Sequence, residues 1–336
     1  MTQSWQTKLN LQHPVVQAGM GGGLSGARLT AAVSLVGGMG TLGLMPPAPF
    51  HQALHETRQR CGDKPFAANL LMPFVRHAHV EACIAERVAV VTMFYGFDRA
   101  LVQQLQSAGI AVWHQIGDIA QAQQALDDGV DGLIVQGEEA GGHLASRNGT
   151  PLAALLPAVR KLTGDRCPLI AAGGIHDAVT AHKARALGAD AVAAGTRFLL
   201  TPESEAHPAY QQRLLEAQET LRTELFGLAW PAPHRVVGNA ATARWCQRNT
   251  NGPRWAQTLN RLMIPSRRLL PMDAVLHLVK LQRVGLPLYS PAGLTRDMDP
   301  RFLDVTPLYA GRCVREITQL RPAADVVAEL AAGFGT

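Results

Sequence analysis

The chain has 336 residues, 47% of them hydrophobic, and a formal net charge of +5. It can bury a large core and has room for one barrel plus an added lobe. It lacks both an apolar run of membrane-spanning length and, in the polar stretch Met1 to Asn10, a signal-peptide core. The five scattered cysteines, Cys61, Cys83, Cys167, Cys246 and Cys313, form no CxxC pair. They fit reduced thiols in a cytoplasmic protein better than a disulfide framework or a metal site. The late excess of positive charge, at Arg261, Arg267, Arg268, Lys280 and Arg283, suits anions, but no nucleic-acid motif accompanies it.

Along the chain, short apolar runs alternate with longer amphipathic stretches. The expected order begins with strand Pro14–Gln17, helix Gly26–Leu35, strand Gly40–Leu44 and helix Pro49–Cys61. Strand Phe66–Leu71, helix Val75–Glu86, strand Val88–Met93, helix Arg99–Ala108, strand Ala111–His114 and helix Ile119–Asp128 follow. Strand Gly132–Gln136, helix Ala153–Leu162, strand Leu169–Ala172, helix His176–Leu187 and strand Ala191–Ala194 complete the series. Gly109, Gly129 and Gly188 stand where helix C-caps are expected. Strict alternation implies a parallel sheet, and eight repeats imply an α/β fold closed as a (β/α)8 TIM barrel.

The pattern changes near Thr223. Gly227 to His234 is rich in turn formers and aromatics, 240–288 reads as wholly helical, 287–307 is irregular and 310–332 reads as helix again. The expected division is a barrel over 1–224, a mostly helical lobe over 225–298 and a C-terminal segment, 299–336, that returns to the barrel.

The candidate site residues lie at strand ends. Gln17-Ala18-Gly19-Met20-Gly21-Gly22-Gly23 ends the first strand, and its glycines let a flat ligand lie against the backbone. Asn69, at the end of the third strand, can hydrogen-bond a heterocycle edge. Gly173-Gly174 and Gly195-Thr196 end the seventh and eighth strands, where barrels commonly grip phosphate. The sixth strand runs into Gln136-Gly137-Glu138-Glu139-Ala140-Gly141-Gly142-His143, a glycine-rich elbow with one acid/base group. Glu138 or Glu139 could be a second such group or simply a solvated carboxylate. Gly38-Met39-Gly40-Thr41-Leu42-Gly43 matches a dinucleotide fingerprint literally, but Pro46, Pro47 and Pro49 follow where that motif needs a helix. A glycine-rich barrel strand is the better account.

Together, Gln17–Gly23, Gly37–Gly43, Asn69, Gln136–His143, Ala171–Ile175, Gly195–Phe198 and the tail Leu308–Gly311 resemble the nitronate monooxygenase family. The resemblance implies a TIM barrel with a mostly helical substrate lobe and a non-covalent FMN at the C-terminal barrel face. It implies that Gly19 and Met20 back the isoalloxazine, that Gly21 also binds the cofactor, and that Asn69 and Gln136 hydrogen-bond the ring system. Gly141 and Gly142 would pass close to the flavin. Gly173, Gly174, Gly195 and Thr196 would hold the phosphate, and His143 matches the catalytic histidine. The implied reaction takes a small-molecule alkyl nitronate and O₂ to a carbonyl compound and nitrite, with no metal, nucleic acid or membrane involved and a homodimer left open. One departure stands out: many members carry an arginine-rich segment where this chain reads Phe226 to Arg235. Flavin enzymes with a similar elbow reduce enoyl thioesters or quinones with NAD(P)H, which is the alternative reading; a flavin- or phosphate-binding protein without turnover is a third.

Overall fold

The computed structural model describes residues 5–265 and 279–335. Eight parallel strands form the first sheet: β1 (Val15–Gln17), β2 (Gly40–Leu42), β3 (Phe66–Leu71), β4 (Val90–Phe94), β5 (Ala111–Ile116), β6 (Gly132–Gln136), β8 (Leu169–Ala172) and β9 (Ala191–Ala194). β7 (Gly142–His143) intervenes in sequence and belongs to a second sheet. The spatial order is β1-β9-β8-β6-β5-β4-β3-β2, the neighbour order of a TIM barrel. The seam between β1 and β2 is held by a single parallel bridge, Val16 to Met39. Met39 accepts from the Gln17 N–H at 2.9 Å and donates to the Val15 carbonyl at 2.8 Å.

Side-chain alternation along each strand explains the two apolar layers. Val15, Val91 and Leu133 face the helices, whereas Val16, Val90 and Ile134 fill the barrel interior. Trp113 is the bulkiest interior residue, and a Cβ on Gly132 would lie 2.7 Å from its indole, so this glycine makes room for it. Trp5 closes the floor edge-on, 5.9 Å from Trp113.

The intervening helices lie within a few residues of their expected places. Asp98, Asp118 and Asp177 cap three of them by accepting a backbone N–H one turn on. Gly109, Gly129 and Gly188 all have the left-handed φ of a helix exit, between 80° and 102°. The literal dinucleotide motif is a packing device. A Cβ on Gly40 would sit 2.0 Å from the Thr30 carbonyl, and one on Gly43 2.0 Å from that of Met20.

After β9 the chain makes only the short helix Thr196–Leu199 before leaving the barrel. The missing outer helix comes from the C-terminus: Ala323–Ala332 packs between helices Ala27–Leu35 and Ala178–Ala186. The stretch read as helix over 310–332 is therefore divided. A 3-10 turn, Arg312–Glu316, comes first, and the helix begins only after Pro322, whose ring prevents continuation from upstream.

The stretch read as wholly helical over 240–288 is also broken. Helices Ala240–Trp245 and Arg254–Leu262 are separated by the turn-rich Asn249-Thr250-Asn251-Gly252-Pro253, and Val279–Leu281 is a 3-10 turn. Residues 266–278, including Arg267 and Arg268, lie outside the described residues. Outside the barrel sheet lies a small antiparallel sheet that sequence periodicity did not suggest. In it β11 (His234–Val237) pairs with β10 (Leu221–Thr223), β12 (Leu308–Tyr309) and β7. Strands of two to four residues are too short to display a period. A second apolar cluster, including Tyr210, Phe226, Tyr289 and Leu308, supports this sheet. Among the described residues, all five cysteines are free and no helix is long and apolar enough to cross a membrane.

Candidate active site

One cavity opens at the C-terminal ends of the barrel strands, beneath the segments that carry Trp230, Pro291 and Tyr309. Most candidate residues line it: Gly19, Met20 and Gly21 after β1, Asn69 on β3, Gln136 on β6, and Gly141, Gly142 and His143 on the elbow. Gly173 and Gly174 after β8, and Gly195 and Thr196 after β9, complete the ring. Fold closure thus assembles in one place residues spread over most of the barrel sequence.

The elbow is held from below by one side chain. Gln136 donates its amide N–H to the His143 carbonyl at 3.0 Å and accepts from the Ala145 N–H at 2.7 Å. Its amide therefore fixes the loop. Gly142 has φ +71°, a conformation that an L side chain adopts only at a cost. Gly141 is small for another reason: its Cβ would fall 2.4 Å from the returning backbone at Ala310 and Gly311. Gly311 in turn donates its N–H to Thr196 Oγ1 at 2.9 Å.

The two elbow carboxylates are structural. Glu138 pairs with Arg312 at 2.9 Å. Glu139 accepts from the Leu152 N–H at 3.1 Å, at the start of helix Leu152–Thr163, where the helix dipole favours negative charge. The possibility of a second acid/base group at Glu138 or Glu139 loses its support, because both carboxylates are engaged away from the cavity wall.

His143 enters the site through β7, paired in register with His234 of β11. Its ring is enclosed by aromatics. The Trp230 indole stacks on it at 3.8 Å between centroids and 19° between planes; His234 and Tyr309 lie at 5.1 and 5.4 Å. Nε2 is sealed from solvent without a hydrogen-bond partner among the described residues. Burial holds the imidazole well below its ordinary range, and nearby His234 adds to the effect. The ring is therefore neutral near pH 7.

His234 has a different job. Its Nδ1 lies 2.9 Å from the Ala232 carbonyl, and its Nε2 accepts from the Phe226 N–H at 3.4 Å. Those partners assign the proton to Nδ1, and burial lowers its pKa to about 4.

Trp230, His234, Tyr309 and Tyr95 were not among the sequence candidates. Tyr95 meets Trp230 edge-on at 5.2 Å, and its hydroxyl donates to the Leu144 carbonyl. The signals for this group were the aromatic, proline-rich run Trp230 to His234 and the tail Leu308–Gly311, which mark special segments but not what they touch.

Strand order, closure and a glycine-lined cavity at the C-terminal mouth define a TIM barrel with its site in the usual place for that fold. A family model described as nitronate monooxygenase matches residues 3–80 and 74–333, and the chain belongs to that family. A (3aS,4S,5R,7aS)-5-hydroxy-7a-methyl-1-oxo-octahydro-1H-indene-4-carboxyl-CoA dehydrogenase of Mycobacterium tuberculosis is 36% identical over 237 residues, 68% of this chain. The match spans 64% of that relative's length. The nitronate monooxygenase of Pseudomonas aeruginosa is 31% identical over 259 residues, 64% of this chain and 74% of its own. Among solved structures, FabK from Thermotoga maritima superposes with a TM-score of 0.75 at 26% identity, covering 98% of this chain and 94% of its own. Nitroalkane oxidase from Streptomyces ansochromogenes gives 0.75 at 26%, covering 98% and 97%.

Proposed function

We propose that the protein is an FMN-dependent oxidoreductase that takes alkyl nitronates, and nitroalkanes after removal of an α-proton, to carbonyl compounds and nitrite with O₂. The observation that carries this reading is a neutral histidine at the mouth of a barrel, facing the same cavity as the glycine-rich strand ends.

The residues present fit the cofactor. The lining offers side-chain-free backbone at Gly19, Gly21, Gly173, Gly174 and Gly195, with Gly173 and Gly174 in left-handed conformations. Thr41 Oγ1, also in the lining, is buried and has no partner among the described residues. In this reading Gly19, Met20 and Gly21 back the ring system, with Asn69 at its polar edge. Gly173, Gly174, Gly195 and Thr196 hold the phosphate through backbone N–H groups and a hydroxyl. Gly141, Gly142 and the Gln136-braced elbow border the rings. Bound FMN supplies the electron chemistry, including the reaction with O₂.

The chain's own residues supply proton transfer and exclusion of water. A neutral His143 can accept the α-proton of a nitroalkane. Imidazolium and nitronate then form together, and opposite charges born side by side in a dry site stabilise one another. The aromatic wall keeps water from the pair. Residues 225–298 serve as the substrate lobe over the barrel, 1–224, with 299–336 returning to it; the setting is cytoplasmic.

A second reading has a specific observation in its favour. The two indene-carboxyl-CoA dehydrogenases match at 36% and 35% identity, above the 31% of the Pseudomonas nitronate monooxygenase. Those names favour a thioester substrate over a nitronate, and the second reading is an FMN-dependent NAD(P)H reductase acting on an enoyl thioester or a quinone. Aerobic nitrite release from propionate-3-nitronate and 2-nitropropane tests the first reading. Rapid anaerobic flavin bleaching by NADH or NADPH, with no response to either nitro compound, would replace it by the second.

A further inference from the structure

We propose that Trp230 is the positioning residue of this site: its indole, stacked on His143, fixes the imidazole plane and leaves Nδ1 as the nitrogen that exchanges protons. The proposal rests on His143 being the base of the proposed reaction.

A catalytic histidine is usually oriented by a hydrogen bond to its second ring nitrogen. His143 has none. Its backbone is tied by Gln136 and by the pairing with β11, but Nε2 has no hydrogen-bond partner among the described residues. Rotation about the side chain is limited instead by shape. Trp230 covers one face at 3.8 Å, while Tyr309 and His234 crowd the ring at tilted angles of 50° and 56°. Of the two nitrogens, Nε2 is the one sealed without a partner, so Nδ1 is the route for a proton into the cavity.

Trp230 can act as a fixed wall because it is itself held. Its backbone N–H donates to the Gly227 carbonyl at 2.9 Å, and its backbone carbonyl accepts from the Ala232 N–H at 2.8 Å. Phe74 and Tyr95 meet the indole edge-on, each at 5.2 Å, from the loops after β3 and β4. The preceding residue, Ala229, has φ +57°, a left-handed conformation that a non-glycine residue keeps only when its surroundings impose it. The turn is thus built to deliver this one side chain.

The groups facing His143 are His234 from β11, Tyr309 from β12, Tyr95 after β4 and Trp230 itself. Behind the Trp230 turn, Arg147 pairs with Glu224 at 2.6 Å and donates to the Pro231 carbonyl at 2.6 Å. Two effects of the indole oppose each other. Its face attracts an imidazolium, which favours the charged form; its bulk excludes water, which disfavours it. Exclusion wins here, because the imidazole is held below its ordinary range.

The test is imidazole NMR on FMN-loaded protein labelled in histidine, with the His143 signal assigned by its loss in His143→Gln. In the unmodified chain, His143 should be neutral at pH 7, with its proton on Nε2. Trp230→Ala should move its titration up toward 6.5 and mix the two tautomers, while Trp230→Phe keeps a ring face and stays near the parent. With 2-nitropropane, Trp230→Ala should lose on the order of 100-fold in kcat, the scale of an ångström's misplacement, with a smaller change in KM and partial recovery in Trp230→Phe. If Trp230→Ala does not fold, Trp230→Leu fills the space without an aromatic face. An unmoved titration and tautomer in a folded Ala or Leu variant, with only KM raised, would make Trp230 a cavity wall and overturn the proposal. The spectra need no turnover. A moved titration without nitrite release would retire the proposed reaction and keep this assignment, and nitrite release with an unmoved titration would do the reverse.

Discussion

The two sides of the cavity are built on opposite plans. The barrel side is almost free of side chains: Gly19, Gly173, Gly174 and Gly195 bring backbone to the surface at the ends of parallel strands. The opposite side is crowded with rings: Trp230, His234 and Tyr309 close over His143. The first plan exposes N–H groups and a flat floor, which suits a cofactor that must lie down and be gripped. The second excludes water and leaves a base neutral, which suits proton transfer. The elbow joins them, since Gly141 packs on the returning chain while His143, two residues on, enters the aromatic cluster.

The sharpest way to break this comparison is at the base. His143→Ala should lower kcat/KM for 2-nitropropane by about 10²–10⁴-fold, the usual worth of a general base, while FMN content and Tm stay near the parent. A preformed nitronate has no α-proton to lose and should suffer less. Equal losses on both substrates would deny His143 a base role, and loss of FMN would place it on the cofactor side.

Acid should strike next. His234, in the aromatic cluster, and His114, in the barrel wall beneath Phe97, both have pKa values lowered to about 4 by burial. The unfolded chain takes up their protons first as pH falls. The stability they contribute is therefore whole above pH 6.5 and is lost between 6.5 and 4, about 3 kcal/mol for each histidine. Urea midpoints measured across that window should fall steeply, and His234→Gln should flatten the slope. A variant slope equal to the parent's would show that His234 titrates normally and that the aromatic side is wetter than its packing implies.

The barrel side was legible in the sequence for a physical reason. A strand running into glycines is a local pattern, and the ends of parallel strands meet at one mouth by topology alone, so Gly19, Asn69, Gly173 and Gly195 could be placed together without coordinates. The aromatic side was not, because it is made by pairing segments distant in sequence: β7, β11 and β12 lie at 142–143, 234–237 and 308–309. Nothing local to Trp230 records that it lands on His143. The roles of Glu139 and Gly141 were hidden likewise, since their partners are Leu152, Arg312 and Ala310.

Two glycines sharpen the division between cofactor surface and packing surface. Gly141→Ala drives a Cβ into backbone at 2.4 Å and should cost about 1–3 kcal/mol, as overpacking does. Gly195→Ala meets only Ala18, at 3.8 Å, and has an ordinary φ of −103°. Its stability should stay within about 0.5 kcal/mol of the parent, while FMN binds more weakly because the added methyl occupies space kept for the ligand. Urea melts and an FMN titration separate the two. A Gly195→Ala variant that binds FMN as the parent does would remove Gly195 from the cofactor surface.

The smallest effect on turnover is expected where the two sides are clamped. Glu139 accepts the Leu152 N–H with its carboxylate and the Arg312 N–H with its carbonyl, tying the elbow both to helix Leu152–Thr163 and to the returning segment. Only the first tie depends on the side chain. Glu139→Ala should cost about 0.5–2 kcal/mol, the range of a lost helix cap, because it leaves a first-turn N–H without its acceptor and removes a charge that the helix dipole favours. Glu139→Gln keeps an acceptor and should recover part of the loss. The pH profile of nitroalkane turnover should keep its shape in both variants, because the carboxylate faces a helix end and not the substrate. A profile that lost a limb in Glu139→Gln would return the second acid/base group to the elbow and make the barrel side a participant in proton transfer.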